Sequence, residues 1–113
     1  MPDRYPRSLA RDQLRWLNLR LGIRTPDAAE HANRQIRTAR GLLQRLFGPR
    51  PVPGVILGDE VGMGKTYEAL AVIAAIFRHQ SSARVLVLTH SHAMAQTWAD
   101  RWDWFRKSAV APK

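Results

Sequence analysis

The chain has 113 residues, enough for one small domain. Its 45% apolar content excludes disorder by composition, and the absence of cysteine excludes disulfides, Cys metal ligands and Cys nucleophiles. The formal net charge is +9, from 18 basic against 9 acidic residues, which suits a polyanionic partner such as nucleic acid.

Met1 to Arg7 holds Pro2 and Pro6 and reads as a loose lead-in. Ser8 is a candidate cap for a helix running to about Leu21, where Gly22 can end it. Leu14, Leu17 and Leu21 share one face of that helix, with Trp16 off the stripe and Leu19 nearly opposite, so cover on two sides is expected. Thr25-Pro26-Asp27 is a second start signal: Thr25 caps, Pro26 suits the first helical position, and Asp27 with Glu30 adds negative charge to the first turn. This helix is predicted to run to about Phe47, burying Ala32, Ile36, Ala39, Leu43 and Leu46, and Gly48-Pro49 stops it. Arg50 to Pro53 is a Pro-broken linker. The basic excess lies mostly in this half, where 11 Arg face 4 acids through Arg50, but the Arg are spread along helices rather than clustered.

Val55, Ile56 and Leu57 form a short apolar run, typical of a strand buried on both faces. Asp59 to Thr66, DEVGMGKT, follows as a Gly-containing loop, and Tyr67 to Phe77 has helical spacing. Strand, Gly-rich loop and helix is the context in which Gly-Lys-Thr is read as a phosphate-binding loop. Gly62 and Gly64 let backbone N–H groups approach phosphate closely. Lys65 can reach the β- and γ-phosphates, the Thr66 hydroxyl can ligate Mg²⁺, and the helix N-terminus faces the anion. The strict pattern would have Gly at position 59, where this chain has Asp59; Gly58 comes one residue too early.

Asp59 is informative in its own right. DEVGMGKT resembles motif I of Swi/Snf-type and related bacterial superfamily 2 helicase-like ATPases, close to ADE-x-G-x-GKT, with Gly58 in place of Ala. The resemblance implies ATP and Mg²⁺ as cofactors, held by Asp59, Glu60, Val61, Gly62, Met63, Gly64, Lys65 and Thr66. It also implies a glutamine upstream that reads the adenine edge. Gln35 lies at about the right distance, and its amide matches adenine N6 and N7; the alternative for Gln35 is a solvent-facing helical residue.

Ser81-Ser82 reads as a turn and Arg84 to Thr89, RVLVLT, as a second buried strand. Strand–helix–strand implies parallel pairing with a right-handed crossover. The expected fold is therefore α/β: an incomplete RecA-like parallel sheet of about two strands behind an N-terminal helical segment, with residues 1–49 helical and 50–113 a truncated ATP-binding domain. His90 to Phe105 resembles motif Ia and its following helix, with His90 where Pro is usual. By that resemblance Thr89 and Ser91 touch a nucleic-acid backbone, DNA more than RNA. Trp98, Trp102 and Phe105 fall at helical spacing and are expected in the core rather than as a base-stacking platform.

No catalytic residue is expected within the chain. After Lys65 the acids are Glu68, Asp100 and Asp103, and none ends a hydrophobic strand to serve as a Walker B acid. An arginine finger, worth about 10³ or more in rate, belongs to a second lobe. The reading is the ATP-binding N-terminal piece of a nucleic-acid-dependent ATPase, completed by the remainder of that ATPase or a complementing subunit. The alternative is a non-catalytic adaptor binding nucleic acid through basic helices without ATP dependence. No apolar run approaches a membrane span and no signal segment is present, so a cytoplasmic location is expected.

Overall fold

Local start and stop signals account for the longest element. The computed structural model describes residues 6–20, 25–56 and 65–111, with Lys65 by its backbone alone. Its helices are α1 (Arg7–Ala10), α2 (Pro26–Phe47), α3 (Lys65–His79) and α4 (His92–Ser108). At the head of α2 the Ala28 N–H donates to Thr25 Oγ1 at 3.2 Å, and Pro26 takes the first turn, where its missing N–H costs nothing. At its end the Gly48 N–H donates to the Gln44 carbonyl at 2.9 Å.

Two glycines of this region behave in opposite ways. A Cβ on Gly48 would fall 2.3 Å from the Gln44 carbonyl oxygen, which belongs to rigid helix backbone. One on Gly41, inside α2, would meet nothing within 4 Å. Gly48→Ala is therefore expected to destabilise the fold by about 1–3 kcal/mol. Gly41→Ala is expected to stabilise it by about 0.5–1 kcal/mol through lower unfolded-state entropy. Urea midpoints of the two variants would move in opposite directions.

The helix expected from Ser8 to about Leu21 is not formed. α1 has one turn, Pro6 rather than Ser8 stands at its N-cap, and turns follow. The cause is Asp12. Its Oδ1 accepts the Leu14 N–H at 2.7 Å, and both its oxygens accept the Trp16 Nε1–H, at 3.1 and 3.0 Å. This local side-chain-to-backbone bond competes with the helix, and Leu14 takes a left-handed φ of 57°. Leu14, Leu17 and Leu19 are buried all the same, so the apolar pattern is satisfied by turns instead of a helix. Leu21 lies outside the described residues.

The predicted parallel sheet is overturned. Among the described residues there is no strand and no sheet; the one β-bridge is an isolated antiparallel pair, Leu17 with Val110. Arg84 to Thr89 joins no ladder, leaving Leu86 81% and Leu88 84% exposed; in the other expected strand Ile56 is 93% exposed, and Leu57 lies outside the described residues. The physical reason is a shortage of cover. A parallel sheet needs helices on both faces, and two strands offer too little surface to hold them. Here α2 and α3 pack most extensively on each other instead.

One hydrophobic cluster results. It joins Leu9, Leu14, Leu17 and Leu19 to Ala32, Ala39, Leu42 and Leu43 of α2, to Leu70, Ala71, Val72, Ala74 and Ala75 of α3, and to Phe105 of α4. Trp98 and Trp102 are half-buried against it, as their spacing predicts. Phe105 stacks on Trp102 and on Tyr67, at centroid distances of 6.4 and 6.2 Å. No described helix is long and apolar enough to cross a membrane.

Candidate functional site

The predicted phosphate loop lies mostly outside the described residues: Asp59, Glu60, Val61, Gly62, Met63 and Gly64 are not among them, and neither is the Lys65 side chain. What is described is the element the loop feeds. α3 begins at Lys65, so Lys65 and Thr66 occupy its first turn, where unpaired N–H groups and the helix dipole favour an anion. Thr66 is half-buried. Glu68 shares that turn and is fully buried.

Gln35 is on α2, the helix packed most extensively against α3, and is only 2% exposed. It is therefore not the solvent-facing residue that was its alternative reading. Its burial is legible afterwards: Ala32, Ala39, Leu42 and Leu43 lie three, four, seven and eight positions away, on the same face. Glu68 likewise shares a stripe with Ala71, Val72 and Ala75. Both were missed as buried groups because polar residues do not register in an apolar pattern.

Thr89 and Ser91 lie at the head of α4. Ser91 is the N-cap, its Oγ accepting the Met94 N–H at 3.1 Å, and the Thr89 hydroxyl donates to the Ser91 carbonyl at 2.8 Å. Ser91 thereby uses an acceptor site and keeps its O–H as a donor. Farther along α4, Arg106 and Lys107 both pair with Asp103, at 2.6 and 3.0 Å, which neutralises part of the positive charge there.

A second polar group was not foreseen. His79, the last residue of α3, places Nε2 2.6 Å from Asp12 Oδ2 and Nδ1 3.0 Å from Ser8 Oγ. Burial raises the Asp12 pKa, but the bonds from His79, the Leu14 N–H and Trp16, with the His79 charge, outweigh it and hold the group below its ordinary 3.8. A lowered folded-state pKa means stability that is present above 3.8 and is lost as pH falls through the folded value. The acid limb of a stability–pH curve is expected to flatten in Asp12→Asn. An unchanged limb would show that other carboxylates carry it.

Comparison with known proteins agrees with the motif. The sequence profile of the SNF2-related domain matches residues 11–111. The chain belongs to this family. It is similar to the RNA polymerase-associated protein RapA of Pseudomonas savastanoi pv. phaseolicola and of Pseudomonas syringae pv. syringae, at 33% identity over 99 residues in each case. The RapA of Pseudomonas syringae pv. tomato matches at the same identity. These alignments cover 75% of the chain but only 10% of each relative, so the SNF2-related chain spans about a tenth of their length. No solved structure gives a significant match. The helicase-like Swi/Snf resemblance read from residues 59–66 thus holds at the level of family.

Proposed function

We propose that this SNF2-related chain is the ATP-binding portion of a nucleic-acid-dependent, helicase-like ATPase. The observation that carries the reading is the DEVGMGKT sequence, whose last two residues, Lys65 and Thr66, open α3, inside a family match that spans residues 11–111. In this reading Gly62 and Gly64 shape the loop around the phosphates, and Lys65 meets the β- and γ-oxygens. The N-terminal turn of α3 adds backbone donors. Thr66 presents a hydroxyl suited to Mg²⁺, a hard cation that takes oxygen ligands and neutralises phosphate charge when bound. Gln35 contributes to adenine recognition from α2, which its burial permits only where the ligand reaches into the α2–α3 packing.

Residues 1–49 act as a helical segment and 50–113 as the ATP-binding part. The acid that orients water and the arginine finger come from polypeptide beyond this segment, either the rest of the ATPase or a complementing subunit. DNA is the preferred nucleic acid, contacted at Thr89 and Ser91, where the free O–H of the Ser91 cap supports a phosphate contact. RNA polymerase is a partner class suggested by the relatives' names, and a cytoplasmic location goes with it.

The test is DNA binding measured across salt concentration, with and without Mg²⁺-ATP. Affinity is expected to fall steeply with salt and to change when ATP is added. Affinity that falls with salt but ignores ATP would overturn this reading in favour of an adaptor acting through basic helices.

A further inference from the structure

The C-terminal end of α3 is tied to a distant part of the chain. His79 bonds to Asp12 at 2.6 Å and to Ser8 at 3.0 Å, across sequence separations of 67 and 71 residues. A ring whose Nε2–H donates to Asp12 leaves Nδ1 to accept the Ser8 hydroxyl proton, so both bonds form at once. Asp12 is itself fixed by the Leu14 N–H and the Trp16 indole. The preceding residue adds a second tie. The Arg78 guanidinium lies 4.9 Å over the Trp16 ring, and its Nη1 donates to the Ala111 carbonyl at 3.3 Å. Ala111 N–H in turn donates to the Trp16 carbonyl at 2.8 Å, and Asn18 N–H to the Ala109 carbonyl at 2.8 Å. The segment from Ser8 to Asn18 therefore grips the ends of both α3 and the stretch that follows α4.

We infer that this Ser8–Asp12–Trp16 segment is a positioning clamp that sets the rotation and axial placement of α3, and through it the placement of Lys65 and Thr66. Two further observations support a positioning role. The buried face of α3 sets three alanines, Ala71, Ala74 and Ala75, alongside Leu70 and Val72. Such small side chains make shallow ridges, which define helix register weakly. Directional hydrogen bonds and a stacked guanidinium add to the register that Leu70 and Val72 give by packing. α3 is also a single unbroken helix of 15 residues. Its ends are about 21 Å apart at 1.5 Å per residue, so a slide or rotation at His79 is delivered to the first turn. The functional consequence rests on the nucleotide reading given above; the placement of α3 does not.

The experiment compares His79→Ala and Asp12→Ala with Leu42→Ala, a core variant on α2. Each is read by melting temperature, by affinity for a fluorescent ATP analogue, and by amide hydrogen exchange along α3. The clamp variants are expected to lose about tenfold in ATP affinity and to exchange faster at residues 66–70 as well as at 76–79. Leu42→Ala is expected to lose melting temperature while keeping affinity and the exchange pattern of the first turn. Asp12→Asn keeps an acceptor for the Trp16 indole and is expected to stay closer to the wild type than Asp12→Ala. The clamp is overturned if affinity and first-turn exchange follow melting temperature alike in all variants. If the wild-type chain binds no ATP analogue, the nucleotide reading fails and exchange decides: acceleration reaching residues 66–70 supports the clamp, and acceleration confined to 76–79 overturns it.

Discussion

Lys65→Ala is expected to remove ATP binding at concentrations that saturate the wild-type chain. A hydrogen bond to a charged group contributes about 1.5–3 kcal/mol, and a lost contact with two phosphates falls at the upper end, roughly a hundredfold in affinity. Helix α3 is expected to form all the same. Position 65 opens α3, and alanine is a better helix former than lysine. Circular dichroism and melting temperature are therefore expected to match the wild type while equilibrium binding of ATP is lost. Thr66→Ala gives the companion result. It is expected to weaken binding about tenfold with Mg²⁺ present, and the difference is expected to vanish in EDTA, because a hydroxyl that acts through the metal has nothing to ligate without it. Full ATP affinity in Lys65→Ala would sink the nucleotide reading, and a Thr66→Ala deficit that persists in EDTA would remove the metal role alone.

The parts of the fold that were legible in the sequence are those set by neighbours in the chain. α2 was legible because Thr25, Pro26 and Gly48 act within a few residues of their own positions, and the structure uses each as its chemistry predicts. α3 and α4 were legible from spacing, and so was the core placement of Phe105. The failures have two physical sources. Asp12 diverted the chain after α1 by bonding to the Leu14 N–H, and a lone Asp within an apolar stripe carries no mark of that choice. The sheet failed because strand formation is a non-local property. Val85, Leu86, Val87 and Leu88 have the residue types of a buried strand, but those types do not supply the neighbours that would bury them. The motif at 59–66 was legible as a family mark, and the family comparison agrees. The clamp at His79 was not legible, since nothing local connects Ser8 and Asp12 to a residue some 70 positions away.

The largest effect on stability is expected from Phe105→Ala. Phe105 is fully buried and is the one α4 residue in that state. It stacks on Tyr67 of α3 and on Trp102, so truncation loses transfer free energy, leaves a cavity and removes two aromatic pairs at once. The expected loss is about 3–5 kcal/mol, against a total of only about 5–15 kcal/mol for a typical domain. Trp104 provides the contrast within one turn of the same helix. It is larger, but 45% exposed, and its contact is a tilted pairing with Tyr67 at 6.3 Å. Trp104→Ala is expected to cost about 1 kcal/mol or less despite removing more atoms. Urea unfolding of the two variants separates burial from size as the source of stability. Near-equal costs would mean that α4 is not docked through Phe105. A large cost confined to Phe105→Ala would establish that this ring joins α4 to α3, two residues after the Lys65 position on which the nucleotide reading depends.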